Sequence, residues 1–395
     1  MIGPNYSFLQ RLQLDACTNC RLCTEVCPAA LASQDGQLSA AYRLHHLRSI
    51  LEKRGGLKKK LFGLKAPSDA QLQAFSETVF RCALCGNCQA VCPVGIGLKE
   101  LWLTLRQDLV TCGTYPEQLD LILSHIEESH NVFAENNEER ADWVEDLQDV
   151  PEHGLIRDQA EVVYFTGCVA SFFPLAQKIP TDLAAIFSAA DVDFTLLGQE
   201  EWCCGFPLLG AGHGDALQPI IDHNLSAVQD KGASQVVFAC PGCYYMWQNH
   251  YPRGPEICHS TEFLLDLIEK QRLKMKAVPL RVTYHDPCDL GRASQVFEAP
   301  RKIIRSIPGV TLIELERNRE ACLCCGGGGN MEMIDADLMA NIAEKKVDDI
   351  IATGAEAVVT ACQQCVRTMT GHVRKNKLPI EVMDITALVH RALDG

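Results

Sequence analysis

Ten cysteines in the second half of the chain fall into one five-cysteine pattern written twice. The first set is Cys168, Cys203, Cys204, Cys240 and Cys243; the second is Cys288, Cys324, Cys325, Cys362 and Cys365. Corresponding cysteines lie 120 to 122 residues apart, which marks an internal duplication. Each set places an adjacent Cys-Cys-Gly between a lone upstream cysteine and a downstream C-x-x-C. Five thiolates aimed at one point exceed what a tetrahedral zinc takes and suit an iron–sulfur cluster. The pattern points to electron transfer, with the chemistry carried out at the metal, so these ten are the candidate catalytic residues.

Eight further cysteines lie near the start. Residues 17–28 read CTNCRLCTEVCP and residues 82–93 read CALCGNCQAVCP. Both match the C-x-x-C-x-x-C-x-x-x-C-P run of two-cluster ferredoxins. Three cysteines spaced by two wrap one face of a [4Fe–4S] cube. The fourth, turned away by the following proline, reaches the other cube. One cubane is therefore expected on Cys17, Cys20, Cys23 and Cys92, the other on Cys82, Cys85, Cys88 and Cys27. Zinc has no use for a crossed fourth ligand. Cys112, Cys258 and Cys322 stand outside both patterns and read as small buried hydrophobes; Cys322 aligns with Glu201 of the first copy. His285 and Asp286, just before Cys288, read either as proton donors to the second site or as satisfied strand-end polar residues. His213 has no counterpart in the other copy and reads as structural. His45 and His46, adjacent on one helix, face different ways and read as surface residues.

The rest of the composition narrows the class. A chain of 395 residues has room for two or three domains. Hydrophobic residues at 47% and charged ones at 22% are ordinary for a globular protein, but 21 cysteines are not. The first residues show no signal-peptide pattern, so the cysteines read as metal ligands rather than a disulfide framework, and a cytoplasmic location follows. No apolar run reaches the length of a membrane span; association with a membrane would come through a partner. A net charge of −14 disfavours nucleic acid.

Elements must position these thiols. Leu44, Leu47, Ile50 and Leu51 recur at helical spacing in AAYRLHHLRSILEKRG, which Gly55–Gly56 ends before the basic Lys58–Lys60. LKELWLTLRQDLV has the same period. Between Glu127 and Glu152 stand ten acidic residues and one basic residue; this stretch reads as a solvated linker helix around Trp143 and Leu147, the alternative being a docking surface for a basic partner, and Pro151 and Gly154 mark its end. In the duplicated region AEVVYFTGC parallels LRVTYHDPC, DFTLL parallels TLIEL, and SQVVFACPGC parallels EAVVTACQQC. Apolar strands alternating with helical stretches predict a parallel α/β sheet in each copy, with the cysteines at strand carboxyl ends where such sheets bind ligands. Gly205 and Gly326–Gly329 are expected to let backbone approach a cluster. No Lys-Ser/Thr follows the glycines, which argues against a phosphate loop, and no flavin or dinucleotide fingerprint is present.

On these motifs the two copies resemble the CCG (cysteine-rich) domains found in the B-type subunit of heterodisulfide reductase, and the N-terminal part resembles the C-type subunit of the same enzyme. One chain carrying both resembles the fused, D-type group, with glycolate oxidase iron–sulfur subunits as relatives. The resemblance implies an α+β multidomain protein: an α-helical ferredoxin domain over 1–112, an acidic helical linker over 113–158, and two α/β CCG domains over 159–278 and 279–395. It implies two [4Fe–4S] cubanes, and a non-cubane [4Fe–4S] cluster in one or both CCG domains, with zinc the alternative in one. It implies an electron-transferring oxidoreductase subunit that works in a larger complex with a flavoprotein or a haem-b membrane subunit. The alternatives are the iron–sulfur subunit of a glycolate or lactate dehydrogenase, and a pure relay in a ring-reducing complex. Both five-cysteine sets are complete, which favours the heterodisulfide-reductase-like group. In YHDPCDLGR, Asp289 stands where that family commonly has histidine.

Overall fold

The computed structural model describes residues 5–54, 67–147 and 154–393. The Gly55–Gly56 stop, Lys58–Lys60 and Pro151 lie outside them. The chain divides into two compact units, and the division does not follow chain order. One comprises Met1–Leu123, Pro207–Asp215 and Leu323–Lys345; the other comprises Ser124–Phe206, Ala216–Cys322 and Lys346–Gly395.

The described N-terminal part of the first unit is all helical. The predicted helices span Ala40–Arg54 and Leu98–Thr111. Leu98, Leu101, Trp102, Leu105 and Leu109 make one fully buried stripe along the latter. Each ferredoxin run folds onto a single helical turn, Leu22–Glu25 or Asn87–Ala90, entered through a left-handed residue, Arg21 or Gly86. The two turns pack on each other. Pro28 opens the helix Pro28–Ser33, where its missing N–H costs nothing.

The second unit holds two four-stranded parallel sheets. The first contains β1 (Val162–Phe165), β2 (Phe194–Leu196), β3 (Gln235–Phe238) and β4 (Glu256–His259), in the order β2-β1-β3-β4. The second contains β5 (Leu280–Tyr284), β6 (Val310–Leu312), β7 (Ala357–Thr360) and β8 (Glu381–Asp384), in the order β6-β5-β7-β8. The identical order carries the duplication from cysteines to topology. Central strands VVYF and AVVT are buried along their whole length, as parallel strands covered on both faces must be. Helices of the two copies also pack on each other. Lys178–Ala189 of the first packs on Ile385–Ala392 of the second, and Ser260–Glu269 of the first packs on Glu298–Ser306 of the second.

The acidic segment differs from its expected form. Residues Asn137–Asp146 form a 3-10 helix with Arg140 and Trp143 buried, so it is a packed element of the second unit rather than a solvated one. Its acidic side chains take the outer face while one cation and one indole point inward.

Candidate metal centres

In the first unit the ferredoxin thiols gather in two groups. Cys17, Cys20, Cys23 and Cys92 line one pocket with Leu44, Ile96 and Leu98. The Cys23 thiol is pushed up to about 11, first by burial and then by the Cys17 and Cys20 sulfurs, with Cys92 adding to them. Burial likewise pushes Cys27 up to about 11; Arg43 opposes it and Cys82 and Cys85 reinforce it. Cys88 is raised well above its ordinary value by burial and then by Cys82, Cys85 and Cys27. The fourth cysteine of each run thus lies with cysteines of the other run. Thiols crowded to this degree resist ionisation alone and fit a cation that takes up their charge.

Arg106 holds the backbone around the second group. Its buried guanidinium donates to five carbonyls: Val79 (3.2 Å), Phe80 (2.9 Å), Cys82 (2.7 Å), Gly210 (2.6 Å) and Gly329 (3.0 Å). Burial pulls its pKa down to about 10, and the Cys82 sulfur opposes that fall. The end of the glycine run has a further task besides backbone approach to the cysteines. Gly329 adopts φ +65°, and a β-carbon there would sit 2.2 Å from the Cys82 carbonyl oxygen. Its lack of a side chain lets this backbone press against the strand of chain that bears Cys82.

In the second unit the first five-cysteine set closes on itself. Cys168 is hydrogen-bonded to Cys203, Cys203 to Cys204, Cys204 to Cys243, and Cys243 to Cys240. The chain of thiols shares charge unequally. Its bond with Cys203 and then burial raise Cys168 well above the usual range, whereas hydrogen bonds from Cys203 and Cys243 bring Cys204 down to about 6. Backbone bonds pin the Cys-Cys pair. The Cys203 N–H donates to the His130 carbonyl at 2.7 Å, Asn224 Nδ2 donates to the Cys203 carbonyl at 3.2 Å, and the Tyr251 hydroxyl donates to the Cys204 carbonyl at 3.2 Å. Trp202, next in sequence, is stacked between His130 and His223 with ring centroids 3.7 and 3.6 Å away. Gly167 (φ +81°) leaves room beside the C-x-x-C, since a β-carbon would stand 3.2 Å from Cys243 Sγ. Five buried or half-buried sulfurs in mutual contact form a soft donor set that fits an iron–sulfur cluster.

The residue that spacing alone missed is Arg140, the single basic residue of the acidic stretch. Its Nη1 donates to Glu201 Oε1 at 2.9 Å, its Nε to Asn137 Oδ1 at 3.0 Å, and its Nη2 reaches Cys168 Sγ at 3.8 Å. Both Arg140 and Glu201 side chains are 1% exposed. Glu201 also accepts the N–H groups of Thr166 (2.7 Å) and Gly167 (2.8 Å), the two residues leading into Cys168. A lone cation among ten acids was the available signal.

The second set divides between the units, with Cys324 and Cys325 in the first and Cys288, Cys362 and Cys365 in the second. The Gly326 N–H donates to Cys324 Sγ at 3.3 Å, and the Cys365 N–H to Cys362 Sγ at 3.4 Å. Gln363, beside Cys362, is fully buried. Its Nε2 donates to the Thr166 carbonyl at 2.8 Å and its Oε1 accepts the Ala170 N–H at 3.2 Å. The second copy thereby braces the Cys168 loop of the first.

Asp286 is a satisfied strand-end residue: Arg301 grips it at 2.6 and 2.9 Å and the Arg319 N–H donates to it at 2.8 Å. Cys322 is not the inert hydrophobe its position suggested. His285 Nδ1 and Lys346 Nζ each lie 3.6 Å from its sulfur. Burial works to raise its pKa, but Lys346 and His285 outweigh burial and bring it to about 7. His213 sits 3.6 Å from Asp120 and edge-on to Tyr115, a structural setting. His45 is exposed, but His46 packs on Tyr42 and Phe75 rather than facing solvent. Cys258 lies in β4, accepting from Gln235 Nε2 at 3.6 Å. Cys112 caps the helix Leu98–Thr111.

Known proteins share this layout. A family model described as a cysteine-rich domain, CCG, matches residues 162–248 and again 282–370; a model described as a 4Fe-4S dicluster domain matches 13–96. The chain is 37% identical to the D-type subunit of the dihydromethanophenazine:CoB–CoM heterodisulfide reductase of Methanosarcina acetivorans, over 98% of this chain and 96% of that one. The subunit of the same name from Methanosarcina mazei matches at the same identity and coverage. The EtfAB:quinone oxidoreductase of Syntrophomonas wolfei is 25% identical over 99% of this chain and 60% of that one. Among the described residues no helix is long and apolar enough to cross a membrane.

Proposed function

The chain belongs to the CCG-domain, 4Fe-4S-dicluster family that includes the D-type subunits of heterodisulfide reductase, and from that premise we propose that it conducts electrons between its ferredoxin-type cysteine groups and its CCG sets and there reduces a disulfide-type substrate. It is an electron-transferring iron–sulfur oxidoreductase subunit of a larger redox complex. Cys17, Cys20, Cys23 and Cys92 hold one cubane; Cys82, Cys85, Cys88 and Cys27 hold the other. Cys168, Cys203, Cys204, Cys240 and Cys243 hold a non-cubane cluster, and Cys288, Cys324, Cys325, Cys362 and Cys365 hold its counterpart. When bound, such clusters supply single electrons, and a pair of them matches the two electrons and two protons that turn one S–S bond into two thiols.

The observation that carries this reading is the closed contact of the five first-copy thiols. The protein's own part is to bind and orient. Asn224, Tyr251 and the His130 carbonyl fix the Cys203–Cys204 backbone, Gly167 clears space beside Cys243, and Gln363 ties the second C-x-x-C to the first loop. The sequence holds no flavin or dinucleotide fingerprint, so a flavoprotein or a haem-b membrane subunit supplies or takes the electrons. Two complete five-cysteine sets favour this reading over a glycolate or lactate dehydrogenase subunit and over a relay without substrate.

Serine in place of Cys204 or Cys325 exchanges a soft thiolate for a hard oxygen and dismantles that set's cluster. In the anaerobically purified complex, each variant should still accept electrons into the N-terminal cubanes but lose turnover with the disulfide acceptor. Normal turnover in both variants would take the CCG sets off the catalytic route and leave a relay carried by the ferredoxin-type region.

A further inference from the structure

Arg140 is an expensive residue to keep. A guanidinium buried with a carboxylate rarely stabilises a fold beyond what apolar side chains of the same volume would. Yet its orientation is overdetermined. Asn137, Glu201 and the His130 carbonyl (3.4 Å) hold three of its edges, and the Phe172 ring lies 5.1 Å below it. What this arrangement fixes is a positive charge 3.8 Å from Cys168 Sγ. Its partner Glu201 grips the N–H groups of Thr166 and Gly167, so the same pair also sets where Cys168 begins.

The second copy lacks this device. Arg140 precedes the duplicated region and has no repeat partner. At the position of Glu201 the second copy has Cys322, faced by Lys346 and His285. Two sets with the same five cysteines therefore sit in different fixed charge.

We propose that Arg140 and Glu201 are a positioning pair that sets the reduction potential of the first CCG site and makes it differ from the second, a role that rests on Cys168 being a cluster ligand. Each added electron brings negative charge to the site, so the Arg140 cation favours the reduced state and the Glu201 anion opposes it. The asymmetry gives electrons a preferred order of arrival at the two sites.

Anaerobic redox titration of the iron-loaded full chain, followed by electron paramagnetic resonance and iron analysis, tests the pair. The signal that disappears in C168S is assigned to the first site; a C168S protein with unchanged iron and unchanged signals would refute the ligand role itself. With that role intact, R140M should lower the midpoint potential of this signal, E201Q should raise it, and R140K should stay near the parent. Shifts of R140M and E201Q in one direction, or no shift in either, would overturn the proposal. So would loss of the site's iron in all three variants, because that marks a structural role only. Should R140M alone fail to assemble, the E201Q sign decides: a rise supports the electrostatic role, and a fall or no movement overturns it.

Discussion

Cys92 and Cys27 show how much a single residue's place can be read from spacing. The C-P ending of each run predicted that the fourth thiol leaves its own group, and the structure sets Cys92 beside Cys23 and Cys27 beside Cys82 and Cys85. C92S should therefore lose the same paramagnetic signal as C20S, one cubane of the two. Loss of the signal that C85S loses would contradict the crossing. His259 makes a residue-scale prediction of another kind. Burial holds its imidazole at about 3, far below the usual 6.5, and its neutral Nδ1 accepts the Thr261 N–H at 3.3 Å to cap Ser260–Glu269. The unfolded chain binds a proton near pH 6.5 that the folded chain refuses. This contribution to stability is complete above that pH and is lost as pH falls towards 3. H259N keeps a capping acceptor without the titration, so its denaturant midpoint should fall less steeply than the parent's between pH 6 and pH 4. Parallel slopes would contradict it. Neither the surroundings of His259 nor those of Arg140 and Cys322 could be read from sequence, because their partners lie far along the chain and burial leaves no local spacing.

Among the elements, the helices Ala40–Arg54 and Leu98–Thr111 and the inner strands were legible because their apolar residues repeat with the right period. Strands β4 and β8 were not foreseen. Their sequences, EICH and EVMD, mix polar and apolar residues and are partly exposed, so neither forms an apolar run that stands out in the sequence. The acidic segment misled for the opposite reason: ten charged residues masked the two inward ones, Arg140 and Trp143. Backbone contact in the first unit was equally hidden. Gly329 lies against Cys82, and Arg106 clamps both carbonyls. G329A should cost roughly 2–4 kcal/mol in denaturant unfolding, through overlap with backbone and a strained positive φ. A change below about 0.5 kcal/mol would mean the contact is not tight. R106M should cost roughly 3 kcal/mol or more, since five carbonyls lose a charged donor together; an unfolding midpoint equal to the parent's would contradict that.

At the scale of the molecule, the duplication seen in ten cysteines extends to two sheets of identical strand order and to helices that pack between the copies. The compact partition was not legible. A reading in chain order runs 1–112, 113–158, 159–278 and 279–395, whereas Pro207–Asp215 and Leu323–Lys345 fold within the unit that bears the ferredoxin runs. Long-range packing decides that, and no composition shift marks it. The central claim is that both ferredoxin-type groups and both CCG sets hold iron–sulfur clusters, and metal analysis of the anaerobically purified full chain tests it most directly. Four occupied sites give about 16 iron atoms per chain with as many acid-labile sulfides and no stoichiometric zinc. About eight iron atoms accompanied by stoichiometric zinc would show that the CCG sets are not clusters and would contradict the account.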